Sequence, residues 1–424
     1  MISQVTPIPP SDNRKSTFTE NFRDFLMNSQ TLFSISKTQP PKISHQHDVI
    51  YILGENFSLE HVKDPKILNK AIEQALEKII WFSYRKNFPI LKPKTDKTSY
   101  VSDTGWGCSI RVGQMLFAEV LKRHLKMKDK PEKIISFFAD CEADPVVSPF
   151  GIQQITIASA VLFNLNPGDW FKFTHVLLIF ENLYHNFANE TIPELEFMMF
   201  SDGIIFINQI YEKVSSYSEC MDCRKSKFEL SFREKLCEKC RKFNKSLFLT
   251  ICLMPTPSHL RTQDFDFISE LLSSRFSVGM MGGKPKRAKY FVSAKDQLFL
   301  CKDPHYVQEP TSDFLDCSSY FSKEIKYVEV GKMSSSLAFG FYLRNEEEFE
   351  EFEEFLRKGK EKLGEKWLMG FEEEFYQEVE FNNLMKEEEE EKCEEVEEVE
   401  ENSLVILEKK ASVRSLEKND MKNK

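Results

Sequence analysis

The chain has no hydrophobic run long enough to cross a bilayer. Its longest apolar stretches are Val176 to Phe180 and Leu247 to Met254, well short of the ~20 residues a membrane helix needs. The first twenty residues are polar, carry prolines at 7, 9 and 10, and lack the apolar core of a secretory signal. A basic excess is also missing. The formal net charge is −10, which argues against general nucleic-acid binding, because that needs cations to neutralise phosphates. Histidine is scarce at eight residues, so few side chains qualify as a neutral-pH base. No internal repeat is visible. Ten cysteines without an export signal imply a reducing compartment, the cytosol, where thiols serve metals or catalysis rather than disulfides.

What is present is length and aromatic bulk. The 424 residues suffice for one large catalytic domain or two modest ones, and 38 phenylalanines within a 41% hydrophobic composition supply a thick core. Residues 1–45 are rich in Ser, Thr, Pro and Asn without a hydrophobic period and are expected to form a flexible arm. Val49 to Gly54 reads as a short strand and turn, and Pro65 to Phe82 has a helical rhythm. Ser109 to Leu125 reads as a long, largely buried helix. Gly203 to Tyr211, Leu247 to Met254, Tyr290 to Ala294, Leu298 to Cys301 and Leu337 to Leu343 read as strands. Lys295-Asp296-Gln297 is placed as a hairpin turn. A last amphipathic helix carries Phe349, Phe352, Phe355 and Leu356. Helices then strands predict an α+β fold, with one domain over 46–369 and a charge-dominated, disordered tail over 370–424 that includes the glutamate-rich run Glu387 to Glu401.

The chemistry concentrates at two places. Cys108 follows Gly105-Trp106-Gly107 at the start of the expected long helix. There the helix dipole and unpaired amides favour a thiolate and can donate to an oxyanion. The glycines allow a tight turn, and Trp106 is expected to wall a cleft. The plainer reading of Cys108 is a buried helix cysteine. His305 stands two residues after Asp303 with Pro304 between. On an extended chain i and i+2 face one side, so carboxylate and imidazole converge. The plainer reading is a surface turn.

Ser83-Tyr84-Arg85-Lys86-Asn87-Phe88-Pro89, Ser102-Asp103-Thr104-Gly105-Trp106-Gly107-Cys108, Arg111 and Gln114 resemble the signature of the autophagins. Gly282-Gly283-Lys284-Pro285, Tyr290-Phe291, Asp303-Pro304-His305, Gln308 and Ser336 to Phe341 follow in the same order, so the resemblance covers about 49–357. It implies a papain-like fold with a small extra subdomain. It also implies a cysteine protease that cleaves a ubiquitin-like autophagy modifier after a glycine near its C-terminus and releases that modifier from phosphatidylethanolamine. By position, Cys108 would be the nucleophile, His305 the base, Asp303 its orienter and Tyr84 an oxyanion donor. Trp170 would clamp the glycine tail under a gate formed by Gly282 to Lys286, with Pro285 at its tip. The resemblance implies no cofactor for catalysis. The partner it implies is the modifier, free and lipid-conjugated, with membranes expected to be met only through the lipidated substrate and the enzyme expected to be a monomer. Lys289, where many relatives have His, and Lys302, where an apolar residue is usual, depart from the pattern, as do Ser109 and Val112.

Two features lie outside that pattern. Cys220-x-x-Cys223 and Cys237-x-x-Cys240, thirteen residues apart, suit a structural Zn²⁺ in an insertion over 216–244. Nearby cations Arg224, Lys225, Lys227, Arg233, Lys235, Lys239, Arg241 and Lys242 would offset the thiolates. Phe381-Asn382-Asn383-Leu384, beside Glu378 and Glu380, resembles a short strand-adding motif that docks onto such modifiers. Tyr376 to Val379 is a competing match, and a merely solvated tail is the plainer reading. Two other functions stay open: a catalytically weak adapter using the tail motif and zinc module, and a protease for a different ubiquitin-like protein. Cys141, Cys301 and Cys317 are candidates for a redox switch.

Overall fold

The computed structural model describes residues 48–92, 99–140, 144–224, 231–256, 258–311 and 316–373. The arm over 1–45, Cys141, most of the tail from 370 and its Phe381–Leu384 motif lie outside these residues. In chain order the elements are β1 (Val49–Ile52), β2 (Glu55–Ser58), α1 (Pro65–Glu77), β3 (Tyr84–Leu91), β4 (Tyr100–Ser102) and α2 (Cys108–His124). Then come α3 (Pro131–Ser136), α4 (Ile152–Leu162), α5 (Phe173–Leu183), β5 (Leu195–Phe200), β6 (Ile204–Phe206), α6 (Ile207–Val214) and β7 (Ser246–Leu253). The last are α7 (Asp264–Ser273), β8 (Ser277–Lys284), β9 (Arg287–Lys295), β10 (Leu298–Lys302), β11 (Val307–Gln308), β12 (Lys326–Glu329), β13 (Leu337–Leu343), α8 (Glu346–Leu363) and β14 (Gly370–Glu372).

A seven-stranded sheet in the order β12-β10-β9-β8-β13-β7-β5 forms the frame. All its pairs are antiparallel except β5 with β7. Both faces are covered, and the strand period of two divides the residues between them. Phe248, Met281, Tyr290, Val292 and Ala338 join one apolar core with α2 and α5. Leu247, Leu249, Met280, Phe291 and Phe339 join a second core with α7 and α8. Burial on both faces explains why these strands read as continuous apolar runs. Phe117 of α2 anchors the first core, with ring centroids 4.8 Å from Phe150, 4.9 Å from Phe197 and 5.7 Å from Phe248.

A smaller sheet, β11-β3-β4, positions the site. β11 pairs parallel to β3, setting Val307 opposite Tyr84, while β4 pairs antiparallel to β3 through Lys86 and Ser102. The segments that carry Tyr84, Asp303 to His305 and the approach to Cys108 are therefore tied by backbone hydrogen bonds.

Several expected elements hold. β1 ends in a turn with Leu53 and Gly54 at φ 48° and 79°, and Asp296 and Gln297 at φ 54° and 62° make the two-residue β9–β10 turn. Three differ. The stretch Gly203 to Tyr211 is not one strand: only Ile204–Phe206 is extended, and α6 follows. Its Ile207, Ile210, Tyr211 and Val214 are buried together, a helical spacing that outweighs the β-branched composition. The helical rhythm from Pro65 stops at Glu77, because Trp81 turns its amide to the Tyr320 carbonyl at 2.8 Å. Gly370–Glu372, assigned by sequence to the tail, forms β14 parallel to β6. Among the described residues no helix is long and apolar enough to cross a membrane.

Candidate active site

Cys108 opens α2 because the turn before it is locked from inside. Gly105 takes φ 87°, a backbone state that a side chain disfavours. At Gly107 a Cβ would fall inside the Asp103 carboxylate. Asp103 organises the turn: its carbonyl accepts from the Gly107 amide at 2.9 Å, and its Oδ1 accepts from the Arg85 amide at 2.6 Å. Arg111, one turn into α2, donates from Nε to Asp103 Oδ2 at 2.8 Å and pairs with Asp140 at 2.8 Å. It also donates to Gln114 Oε1 at 3.0 Å. Asp140 in turn accepts from the Ile152 amide at 3.1 Å, at the start of α4. All three charged groups are buried. One guanidinium therefore holds the entry to α2, the start of α4 and the end of β4 in register. Burial pushes the Asp103 carboxyl up, against the opposing pull of Arg111.

The second half of the site is fastened to β3. The Tyr84 amide donates to the Pro304 carbonyl at 3.0 Å, and the Trp81 indole donates to the Asp303 carbonyl at 2.8 Å. Asp303 Oδ1 lies 2.5 Å from His305 Nδ1 and accepts from the His305 amide at 3.1 Å. Its Oδ2 pairs with Lys289 and, at 3.2 Å, with Lys326. Burial works against the Asp303 carboxylate, but Lys289, His305 and Lys326 together hold it well below the usual range. Burial likewise works against a charged His305. Hydrogen bonds to Asp303 and Cys108 and their negative charge outweigh it, raising the imidazole to about 9.

Tyr84 completes the cluster. Its ring meets His305 edge-on at 5.4 Å, and its buried hydroxyl makes no hydrogen bond to a protein group among the described residues, leaving it open to a ligand. Burial, then the charge of Cys108, raise its pKa and keep the phenol protonated. Cys108 and Tyr84 are 0% exposed, His305 6% and Asp303 8%. Thiol, imidazole, carboxylate and phenol thus converge at the N-terminus of a 17-residue helix, where partial positive charge favours an anion.

The neighbouring residues depart from expectation in two respects. Trp106 is not a cleft wall. It is 4% exposed, donates its indole N–H to the Ser102 carbonyl at 3.0 Å, and packs against Tyr100 and Phe171. Gly282 and Gly283 are not a free loop but the buried end of β8, pairing with Lys289 and Ala288. At Gly282 a Cβ would press on Met333, Leu337 and Phe291, and Gly283 sits at φ 128°. Only Pro285 and Lys286 form the turn, with Lys286 at φ 62°. This hairpin borders a cavity of about 330 Å³ lined by Gly283, Lys284, Lys289, Asp303, His305 and Lys326, among others. Trp170 is partly buried and packs against the first core; it does not line that cavity.

Away from this cluster, Cys220, Cys223, Cys237 and Cys240 bring four sulfurs within 4.8 Å of one another. They are the group among the described residues that could hold a metal.

A profile described as the peptidase C54 catalytic domain matches residues 69–355, a span that contains Tyr84, Cys108, Asp303 and His305. The chain belongs to the peptidase C54 family. Its mixed helix and sheet architecture fits a papain-like protease fold. Among curated relatives of this C54 chain, "Probable cysteine protease ATG4" of Scheffersomyces stipitis is 27% identical over 61% of this chain and 45% of its own. "Cysteine protease ATG4b" of Arabidopsis thaliana is 28% identical over 72% of this chain and 64% of its own. "Probable cysteine protease atg4" of Schizosaccharomyces pombe is 26% identical over 76% of this chain and 85% of its own. The chain thus spans about half to two thirds of the length of the first two and most of the third.

Sequence reasoning missed Asp140 as the second partner of Arg111 and Lys326 as the second cation on Asp303. It noticed Lys289 only as a departure. No local signal pointed to these residues, because their partners are distant in the chain and their types are common. Lys302, the other departure, is accommodated by donating to the Ser322 carbonyl at 2.6 Å, and burial lowers its pKa to about 8.

Proposed function

We propose that this C54 peptidase is a thiol endopeptidase that cuts a ubiquitin-like autophagy modifier after the glycine near its C-terminus and also releases the modifier from phosphatidylethanolamine. The convergence of Cys108, His305, Asp303 and Tyr84 at the head of α2 carries this reading. The Cys108 thiolate, paired with imidazolium His305, attacks the glycine carbonyl. The Cys108 amide and Tyr84 hydroxyl receive the oxyanion. His305 then gives its proton to the departing nitrogen, which is a peptide amine in processing and the ethanolamine nitrogen in delipidation. A thioester remains, and water activated by His305 hydrolyses it to free the glycine carboxylate. Asp303 fixes the imidazole throughout. Both reactions break the same amide at the same carbonyl, so one site serves both.

Trp170 and the turn at Pro285 are assigned to the walls of the groove that takes the glycine tail, both through the family resemblance, with Lys284 and Arg287 on either side of that turn lining the cavity. No cofactor enters the chemistry. The protein works as a monomer in the cytoplasm and meets membranes through the lipidated substrate.

The deciding experiment incubates wild type and Cys108→Ala with a modifier extended beyond its glycine, and with its phosphatidylethanolamine conjugate on vesicles. Mass spectrometry should show cleavage after glycine by wild type alone. A folded, reduced wild type that binds the modifier without cutting it would make the protein an adapter instead. Cutting only a different ubiquitin-like protein would replace the substrate.

A further inference from the structure

The insertion over 216–244, between α6 and β7, is poorly equipped to hold itself together. Among the described residues its regular structure is four single turns of helix, Tyr217–Glu219, Met221–Arg224, Phe232–Lys235 and Glu238–Arg241, each far below the length at which a helix persists alone. Its own contribution to the core is small: Phe232 and Leu236 are buried beside Cys223 and Cys240 in the second core. The stem is sounder. Ser215 bridges to Phe243, and the Asn244 amide donates to the Val214 carbonyl at 2.6 Å. The far end depends on whatever joins its first hook to its second.

The geometry points to a single structural zinc ion held by Cys220, Cys223, Cys237 and Cys240. Zinc with four thiolates at ~2.3 Å places its sulfurs about 3.8 Å apart, and the four sulfurs here already lie within 4.8 Å. That spacing suits one ion, whereas a cluster of several irons sets its thiolates farther apart. The surroundings are those of a thiolate site. The Cys237 amide donates to Cys223 Sγ at 3.2 Å. Donors aimed at sulfur share out negative charge and orient the ligands. Arg224 and Arg241 clamp the backbone of the hooks, bonding to the Ser218, Leu236 and Arg233 carbonyls at 3.1–3.2 Å. Their charge opposes the net negative charge of a four-thiolate zinc.

The ion is structural because four protein ligands leave no position for water or substrate. It also reaches beyond the insertion. Arg233 pairs with Glu353 and, at 3.4 Å, with Glu350 on α8, while Phe243 packs at a tilt against Phe349, ring centroids 5.6 Å apart. Closing the hooks therefore fixes the platform on which the C-terminal helix lies. Cys108 and Tyr84 belong to the first core, across the sheet.

The test is the metal content of the full chain, expressed with zinc supplied and purified under reducing conditions. Close to one zinc per chain is expected, retained through gel filtration and lost in Cys223→Ser with Cys240→Ser. Cobalt exchanged for zinc should give the thiolate charge-transfer and visible bands of a tetrahedral four-sulfur site. In hydrogen exchange, chelation of wild type should raise amide exchange across 216–244. If the paired variant fails to fold, Cys237→Ser, at the exposed hook, serves for the same metal count. Wild type that carries no zinc, with all four thiols alkylating at the same rate before and after chelator, overturns the assignment. Two disulfides in freshly purified protein, or iron with inorganic sulfide, overturn it equally.

Discussion

Asp303 is the residue on which the site turns, and its environment separates it from a simple orienter. One carboxylate oxygen serves His305 while the other is gripped by Lys289 and Lys326. The pair of lysines fixes the carboxylate plane, so the imidazole can rotate little. With the His305 imidazole raised to about 9, it stays protonated through neutral pH and loses its proton above that value. The acid that protonates the leaving nitrogen is then gone. Accordingly, kcat/KM should hold level through neutrality and fall as pH rises through about 9, as a pH–rate profile would show. Lys289→Met leaves that carboxylate oxygen to Lys326 alone and removes a cation that opposes the imidazolium. The expected result is a loss of roughly tenfold to a hundredfold in kcat with KM little changed, and an alkaline limb moved to higher pH. A merely structural defect would lower the amount of active enzyme and leave the limb in place. The Asp303–His305 contact was legible in the Asp303-Pro304-His305 spacing, as was the place of Cys108 at the head of α2. The lysine grip was not, because it joins strands β9, β10 and β12 and has no spacing signature.

At the scale of elements, α2 shows how a sequence motif becomes a position in space. The turn glycines were visible in the sequence, but the reason for Gly107 is a carboxylate packed against its Cα. That carboxylate is held by Arg111, which also holds Asp140. Replacing Arg111 with Leu would leave two buried carboxylates without their cation, a loss of about 3–5 kcal/mol. Urea unfolding should report it as a lower midpoint, and Arg111→Lys should recover only part, since a single ammonium cannot span both acids. In the β8–β9 hairpin, Gly283 sits at φ 128° with the Arg287 carbonyl where a side chain would go. Gly283→Ala is expected to loosen the hairpin by about 1–3 kcal/mol, seen as faster hydrogen exchange at Ala288 and Lys289. Sequence reading took this glycine pair for a mobile loop because glycine marks both loops and close backbone approach, and only the neighbouring chain distinguishes them. It took Gly203 to Tyr211 for one strand for a related reason: short apolar runs carry little period, and the helical half is evident only from which side chains are buried together.

For the whole molecule, the alternation of two cores across one sheet made the strands easy to find and their order impossible to read. Apolar runs locate β7, β8, β9, β10 and β13, yet nothing in a run says which neighbour it will choose. β5 escaped notice altogether, since its pairing with β7 is parallel and reaches across α6 and the insertion. Phe117 ties the nucleophile helix to this arrangement through Phe150, Phe197 and Phe248. Its replacement by Ala should cost about 3–5 kcal/mol, measured by calorimetry as a lower unfolding temperature with a single transition.

The pairing of β11 beside β3 has one more consequence. The indole of Trp81 and the carbonyl of Asp303 that it holds stand 222 residues apart in the chain. Contacts of such long range form late, after the intervening chain has condensed. A growing polypeptide that has exposed Cys108 at the ribosome has not yet made the histidine that would arm it. The meeting of thiol and imidazole at the head of α2 therefore waits on synthesis of the later part of the chain.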